Sequence, residues 1–245
     1  MKAMLLAAGR GERMRPLTGT TPKPLLRAGG KALIVWHLER LERAGFREII
    51  INHAWLGALV EATLAIDAPK TLGITYSAEG EALETAGGIA QALPLISAGD
   101  APFLVINSDI WCDFDPGRAH TIAQRMQADN TLAHLVMVPN PPQHPHGDFV
   151  LTQGRVHDSE TSHASSTAAA PTGSKATPRL TFSGIGVYRA ALFASVERGS
   201  KAKLAPLLRA AMRTGQVSGE LHSGEWEDIG TPEHLAALDA RLMHA

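Results

Sequence analysis

The sequence predicts an α/β protein: a mostly parallel, helix-flanked sheet over residues 1–130, continuous with a mixed α+β region over 131–245. Two observations carry this. Up to about residue 130, short apolar runs alternate with segments of helical periodicity, as strand–helix–strand units do. Beyond 131, three strand-like runs follow one another without regular helices between them, and helical patterns return only near the end. A third consideration sets the scale. With 245 residues, 44% of them apolar and 19% charged, the chain can bury roughly 70–75% of its unfolded surface as one domain.

Each element has its own signal. Ala3–Ala7 is an apolar run stopped by Gly9, as a buried strand entering a turn would be. Leu33, Ile34, His37, Leu38, Leu41 and Ala44 recur at helical spacing, and Gly45 ends that helix. Glu48–Asn52 contains three consecutive isoleucines, suited to a strand covered on both faces. A helix is expected over Trp55–Ala65, a short strand at Ile74–Ser77, a helix around Ile89–Leu93 and a buried strand at Phe103–Ile106. Leu132–Val138, Phe149–Val156 and Leu180–Tyr188 read as strands. Helices near Ala202–Arg213 and Pro232–Met243 flank a strand at Val217–His222. Residues 159–178, almost all Ser, Thr, Ala, Pro and Gly, have no periodicity and little apolar surface, so a mobile insertion is expected there.

Several classes of function are disfavoured. One cysteine, Cys112, makes neither an intrachain disulfide nor a cysteine-based zinc site, and points to a reducing compartment. A net charge of −1 disfavours a dedicated nucleic-acid binder. No apolar run approaches the roughly 20 residues of a membrane span, so a cytoplasmic protein with no membrane or nucleic-acid partner is expected. The charge is uneven, however. Residues 1–31 hold seven of the 23 Lys and Arg against one acid, Glu12, within a Gly/Pro/Thr-rich stretch that suits an anionic ligand.

Leu6-Ala7-Ala8-Gly9-Arg10-Gly11-Glu12-Arg13-Met14 follows the first strand. Glycines at such a turn let backbone N–H groups approach phosphate closely. The spacing is neither that of the dinucleotide fingerprint nor that of the P-loop. The continuation Arg15-Pro16-Leu17-Thr18 and Thr21-Pro22-Lys23-Pro24-Leu25 strengthens the signal, because prolines on both sides stiffen the backbone that presents the Lys23 ammonium. Leu104-Val105-Ile106-Asn107-Ser108-Asp109 is a buried strand with a polar tip, the end at which parallel α/β sheets bind ligands. In Trp226-Glu227-Asp228-Ile229-Gly230-Thr231-Pro232 a second aspartate precedes a helix capped by Thr231, with Pro232 in its first turn.

Leu6 to Leu25 resembles the signature of the sugar-1-phosphate nucleotidyltransferases, and the likeness extends along the chain apart from 159–178. It implies a Rossmann-like, GT-A-like fold in which residues 1–130 hold the nucleotide and 131–245 the sugar phosphate. It further implies Mg²⁺ held by Asp109 and Asp228, with Arg13 over the leaving pyrophosphate and Lys23 at the α-phosphate and the incoming sugar phosphate. Ala7, Gly9, Gly11, Glu81 and Gly88 fall at nucleotide-binding positions, and Asn107, Gly147, Asp148 and Ser183 at acceptor positions. Ile51–Gly57, Glu81–Thr85 and Lys203–Leu208 resemble the branch that joins UTP to N-acetylmuramic acid 1-phosphate in peptidoglycan recycling. For that sugar's lactyl carboxylate Lys203 is the candidate cation. A carboxylate at position 81 would suit guanine better than uracil, so a mannose-1-phosphate guanylyltransferase using GTP is the alternative. A non-catalytic nucleotide-sugar-binding subunit is a more distant one, because binding alone does not require Arg13, Lys23, Asp109 and Asp228 together.

Overall fold

The computed structural model describes residues 1–158 and 178–244, so the insertion expected at 159–178 lies outside the described residues except for Pro178. Strand β1 (Ala3–Leu6) leads through 3-10 turns at Glu12–Met14, Leu17–Gly19 and Lys23–Leu25 into a ribbon of β2 (Arg27–Ala28) and β3 (Lys31–Ala32). There follow α1 (Leu33–Arg43), β4 (Glu48–His53), α2 (Gly57–Asp67), β5 (Gly73–Ala78), α3 (Glu84–Ile96) and β6 (Phe103–Asn107). Next come β7 (Ile110–Cys112) and α4 (Arg118–Ala128). The second half contains β8 (Ala133–Val138), β9 (Phe149–Thr152), β10 (Arg155–His157), β11 (Arg179–Tyr188), α5 (Leu204–Arg213), β12 (Val217–Leu221), β13 (Trp226–Asp228) and α6 (Pro232–Met243).

One nine-stranded sheet runs through both halves in the order β5-β4-β1-β6-β11-β8-β12-β10-β9. The expectation of a mostly parallel sheet holds only for β5-β4-β1-β6, which are all parallel. β11 enters antiparallel to both β6 and β8, so the sheet as a whole is mixed. β11 also pairs with β9, which closes β11-β8-β12-β10-β9 into a five-stranded barrel. A register shift between Phe182 and Gly186 and a positive φ of 84° at Gly184 bend β11, so its first residues meet β9 and its last meet β6. Such a bulge changes a strand's direction without ending it.

The strand expected over Phe149–Val156 is two strands. Gln153 and Gly154, at φ 50° and 74°, form a two-residue turn between the paired residues Thr152 and Arg155. Positive φ at both turn residues matches the twist of a tight hairpin.

Alternation along the central strands sets the core. Ala3, Leu5, Ile49, Ile51, Leu104 and Ile106 face one layer, together with Leu38 and Leu41 of α1, Val60 and Leu64 of α2, and Ile122 and Met126 of α4. Met4, Ile50, Phe103 and Val105 face the other, with Ile89 of α3 and Leu208 and Met212 of α5. A strand rich in isoleucine on both faces is thus buried on both faces. A smaller cluster of Met14, Leu33, Trp111, Ile229, Leu235 and Leu238 packs α6 against the 3-10 turns and β7.

Candidate active site

The C-terminal tips of the parallel strands meet at one end of the sheet. Beyond β1, the backbone N–H of Ala7 donates to Asn52 Oδ1 at the tip of β4 (2.8 Å). Asn52 Nδ2 donates to Glu79 Oε1, just past β5 (2.5 Å), and Glu79 Oε2 accepts from the N–H of Leu83 (2.9 Å). Both side chains are buried. Their network needs Gly88, because a Cβ there would lie 2.5 Å from Glu79 Oε1 and 2.8 Å from Asn52 Nδ2. Ser108, past β6, donates from its hydroxyl (2.6 Å) and its N–H (3.1 Å) to the carbonyl of Leu6.

These tips open into a cleft of about 530 Å³. Its walls include Ala7, Gly9, Gly11, Arg13, Lys23, Asn52, Glu79, Glu84, Thr85, Asn107, Asp109, Lys201 and Gly230. Lys23 is buried, and its Nζ lies 2.7 Å from Asp109 Oδ2. Gly11, at φ 65°, allows this approach, since a Cβ there would meet Lys23 Cβ at 3.0 Å and Thr18 Cγ2 at 3.1 Å. The Thr18 hydroxyl donates to the Gly11 carbonyl (2.8 Å), fixing the turn around the lysine.

Asp109 and Asp228 are brought together by an antiparallel ribbon of β7 and β13, in which Ile110 pairs with Asp228. The N–H of Ile229 donates to the carbonyl of Asp109 at 3.0 Å. Arg13 Nη2 lies 3.5 Å from Asp228 Oδ2, in space a side chain at Gly230 would fill. Beneath the ribbon His37 Nε2 bonds the carbonyl of Ile110 (2.9 Å), and burial lowers its pKa to about 4. The ring is therefore neutral near pH 7 and donates to that carbonyl. The result is two hard carboxylates facing two cations, with the glycine-rich turn beside them.

Asp109 and Asp228 fit a magnesium ion in chemistry and number. Mg²⁺ favours oxygen ligands and is commonly held by one or two carboxylates, with substrate phosphates filling other positions. Among the described residues, the one cluster of three candidate metal ligands is Cys112, Asp113 and His222, which includes neither of these aspartates. That composition suits a softer metal than magnesium.

The residues expected from the sequence divide into groups. Ala7, Gly9, Gly11, Arg13, Lys23, Asn107 and Asp109 line the cleft; Asp228 is outside that lining and meets it through its pair with Arg13. Glu81 does not: its carboxylate is exposed and lies 2.7 Å from Lys201 Nζ. The pocket carboxylate is Glu79, two residues earlier. Gly88 lies within α3 behind the Asn52–Glu79 pair rather than on the surface of the cleft. Lys203 is exposed at the N-terminal boundary of α5, whereas Lys201 lines the cleft.

Gly147, Asp148 and Ser183 lie outside the cleft lining, and the last two serve the bend of β11. Asp148 Oδ2 accepts from the N–H of Phe182 (2.8 Å), and Ser183 Oγ accepts from the N–H of Ile185 (3.1 Å). Gly184 connects this region to the cleft, because a Cβ there would lie 2.7 Å from Asn107 Nδ2. Trp55 is exposed, with the Arg10 guanidinium over its ring at 4.6 Å. Sequence reasoning missed Asn52 and Glu79. The rule that selected Asn107–Asp109, a polar residue at the tip of a parallel strand, would have found both.

The chain belongs to the nucleotidyl transferase family, whose profile matches residues 2–244. It is 52% identical to the N-acetylmuramate alpha-1-phosphate uridylyltransferase of Neisseria meningitidis over 98% of this chain and 97% of that protein. It is 42% identical to a mannose-1-phosphate guanylyltransferase catalytic subunit beta of Drosophila pseudoobscura, over 46% of this chain and 31% of that protein. A structure of a glucose-1-phosphate thymidylyltransferase from Bacillus anthracis, described as putative in its own name, superposes with a TM-score of 0.77. It covers 100% of this chain and 96% of that one at 18% identity, a likeness of fold. Among the described residues no helix is long and apolar enough to cross a membrane.

Proposed function

We propose that this protein is a uridylyltransferase that joins UTP to N-acetylmuramate α-1-phosphate, giving UDP-N-acetylmuramate and pyrophosphate for peptidoglycan recycling. The observation that carries this is the 52% identity to a uridylyltransferase of that specificity along nearly the whole of both chains. The reaction is an in-line displacement at the α-phosphorus by an oxygen of the sugar phosphate. That oxygen is already anionic, so no general base is needed. The barrier lies in bringing anions together and in the charge that spreads over the α-phosphate.

The protein's own groups address both terms. Lys23, held rigidly and nearly buried, offers a fixed ammonium to the α-phosphate and the incoming phosphate. Arg13 offers a bidentate guanidinium to the pyrophosphate. Asp109 and Asp228 would hold Mg²⁺, which supplies charge neutralisation at the phosphate oxygens when bound. The turn that runs from Ala7 to Gly11 receives the nucleotide with the N–H groups beyond Ala7, whose own N–H anchors the turn on Asn52. Asn107 faces the acceptor, and Gly147, Asp148 and Ser183 shape its side of the cleft through β11. UTP is a cytoplasmic metabolite, and this reading carries the cytoplasmic expectation with it.

Glu79 is not a free carboxylate for the two adjacent N–H donors of guanine. Each of its oxygens already accepts one bond, from Asn52 and Leu83, and keeps one further acceptor site for a base. The likeness to a guanylyltransferase, over 46% of this chain, keeps the GTP reading as the alternative to test.

The test is initial pyrophosphate release with Mg²⁺, crossing UTP, GTP and dTTP with the 1-phosphates of N-acetylmuramate, N-acetylglucosamine, glucose and mannose. The expected result is turnover centred on UTP with the muramate sugar. Turnover centred on GTP with mannose 1-phosphate would replace this reading by the alternative. Binding of nucleotide without turnover anywhere in the grid would point to a non-catalytic subunit.

A further inference from the structure

The β7–β13 ribbon has two ends. Asp109 and Asp228 lie at one, and the other carries a second group of metal-binding side chains that the proposed reaction does not use. Cys112 ends β7 opposite Trp226, and beyond it the N–H of Asp113 donates to the carbonyl of Glu225 (3.1 Å). His222 directly follows β12, and its N–H donates to the carbonyl of Met137 (2.8 Å). One ligand atom from each of Cys112, Asp113 and His222 lies within 4.8 Å of the other two.

The surroundings hold this group together. His222 Nε2 lies 2.7 Å from Asp113 Oδ1, so two of the three ligand atoms already converge. Gly224 leaves the space they occupy, since a Cβ there would lie 2.4 Å from Asp113 Oδ1 and 2.7 Å from His222 Cε1. Burial pushes the Cys112 thiol up to about 11, and a backbone hydrogen bond from Phe114 works the other way, toward the thiolate. Hydrogen bonds of that kind support metal-bound sulfur.

Geometry and charge both suit a divalent ion. Zn²⁺ binds sulfur at about 2.3 Å and imidazole nitrogen or carboxylate oxygen at about 2.0–2.2 Å, which sets the ligand atoms of a tetrahedron roughly 3.3–3.6 Å apart. The three side chains reach that spacing by shifts of roughly 1.5 Å or less. As a thiolate, Cys112 joins Asp113 and Glu225 as a third anion within electrostatic reach of one cation, Arg40 of α1. Two negative charges are left over, which a divalent ion neutralises. Sulfur and imidazole select a borderline-soft metal, whereas the all-oxygen pair Asp109 and Asp228 selects magnesium.

We propose that Cys112, Asp113 and His222 bind a zinc-class divalent ion, distinct from the ion of Asp109 and Asp228, that clips the outer end of the ribbon to the end of β12. The single cysteine excludes a site built on cysteines, but the fold brings in His222 from 109 residues beyond Asp113. Binding replaces the thiol proton of Cys112, which passes to solvent. His222 presents Nε2 bare and keeps its one proton on Nδ1. Water completes the tetrahedron on the side where Asp113 is open to solvent. The site is independent of which nucleotide and sugar the protein uses.

The experiment titrates Co²⁺, a spectroscopic stand-in for Zn²⁺, into the reduced, metal-free protein in saturating Mg²⁺, with Cys112→Ser, Asp113→Asn, His222→Gln and Asp228→Asn alongside. We expect a single equivalent of Co²⁺ to bind with a thiolate-to-cobalt charge-transfer band in the near ultraviolet, and Zn²⁺ to abolish the band by displacement. Cys112→Ser should lose the band. Asp113→Asn and His222→Gln should weaken Co²⁺ binding at least about tenfold, a loss that removing even a hydrogen-bond partner of a ligand can cause. Asp228→Asn should keep the band at full strength. Free Zn²⁺ at about a hundredfold excess over its dissociation constant should raise the Tm of the wild type by about 5–10 °C, and that of His222→Gln by less than half as much.

Co²⁺ bound without the sulfur band overturns the site. So does wild-type affinity in both Asp113→Asn and His222→Gln, because the cysteine would then hold the ion without them. Binding abolished in Asp228→Asn assigns the ion to the magnesium pair and overturns the proposal as well. If Cys112→Ser does not fold, His222→Gln decides.

Discussion

Lys23 Nζ and Asp109 Oδ2 lie 2.7 Å apart, joining a proline-flanked turn to the tip of β6 across 86 residues of sequence. The pair places a nearly buried ammonium against one of the two carboxylates proposed to hold the metal. Lys23 without its partner would be an uncompensated charge in a buried position, a costly state, whereas the Asp109 carboxylate is partly open to solvent.

Lys23→Met should therefore affect turnover more than nucleotide binding. Fixed donors aimed at developing charge contribute about 10²–10³ in rate when removed singly. We expect kcat to fall by about that factor, with the dissociation constant for UTP changing by less than about tenfold. Steady-state kinetics paired with calorimetric titration of UTP checks this. A dominant loss of UTP affinity would assign Lys23 to binding.

Asp228→Asn should weaken metal use. It removes one of two charges proposed to hold Mg²⁺ while leaving the Ile229–Asp109 backbone bond in place. The Mg²⁺ concentration for half-maximal rate should rise at least about tenfold, and chelation with EDTA should abolish wild-type activity reversibly. Activity retained in full after EDTA treatment would refute the metal assignment.

Gly88→Ala tests the link between Asn52 and Glu79. The added methyl would sit 2.5 Å from Glu79 Oε1 and 2.8 Å from Asn52 Nδ2, so the pair must separate. The Ala7 anchor depends on Asn52, and the variant should raise KM for UTP while lowering stability by about 1–3 kcal/mol. Denaturant unfolding and nucleotide titration measure the two effects.

Buried histidines set an acid limit on stability. Burial lowers both His37 and His134 to about 4, from an ordinary value near 6.5. Between those values the unfolded chain binds protons that the folded chain does not, so stability is complete above about pH 7 and falls as pH drops through 6.5 toward 4. For His37 the full window is worth about 3 kcal/mol at 1.36 kcal/mol per unit. Unfolding free energies at pH 7.5 and pH 5 should show the decline, and His37→Gln should flatten it.

The parts of the site legible in the sequence were those with local signatures. Arg13 and Lys23 lie in a glycine- and proline-marked stretch, Asp109 follows a run of buried apolar residues, and Asp228 precedes a capped helix. What escaped depends on partners distant in sequence. Glu81 and Glu79 differ by two positions and are equivalent as carboxylates, but only Glu79 meets Asn52, 27 residues away. Lys201 and Lys203 are likewise distinguished by the docking of Ala202 onto α3. Strand direction was hidden for the same reason. The apolar pattern of β11 is the same parallel or antiparallel, and its bend at Gly184 joins the parallel part of the sheet to the barrel. The β7–β13 ribbon, three residues on each side, is too short for periodicity to reveal.

The most direct measurement is a one-pot competition: the purified protein with Mg²⁺, equal concentrations of UTP and GTP, and equal concentrations of N-acetylmuramate 1-phosphate and mannose 1-phosphate, read by mass spectrometry of the nucleotide sugars formed. UDP-N-acetylmuramate as the dominant product is the predicted result. GDP-mannose as the dominant product would contradict the account, and so would a mixture in which neither base nor sugar is selected.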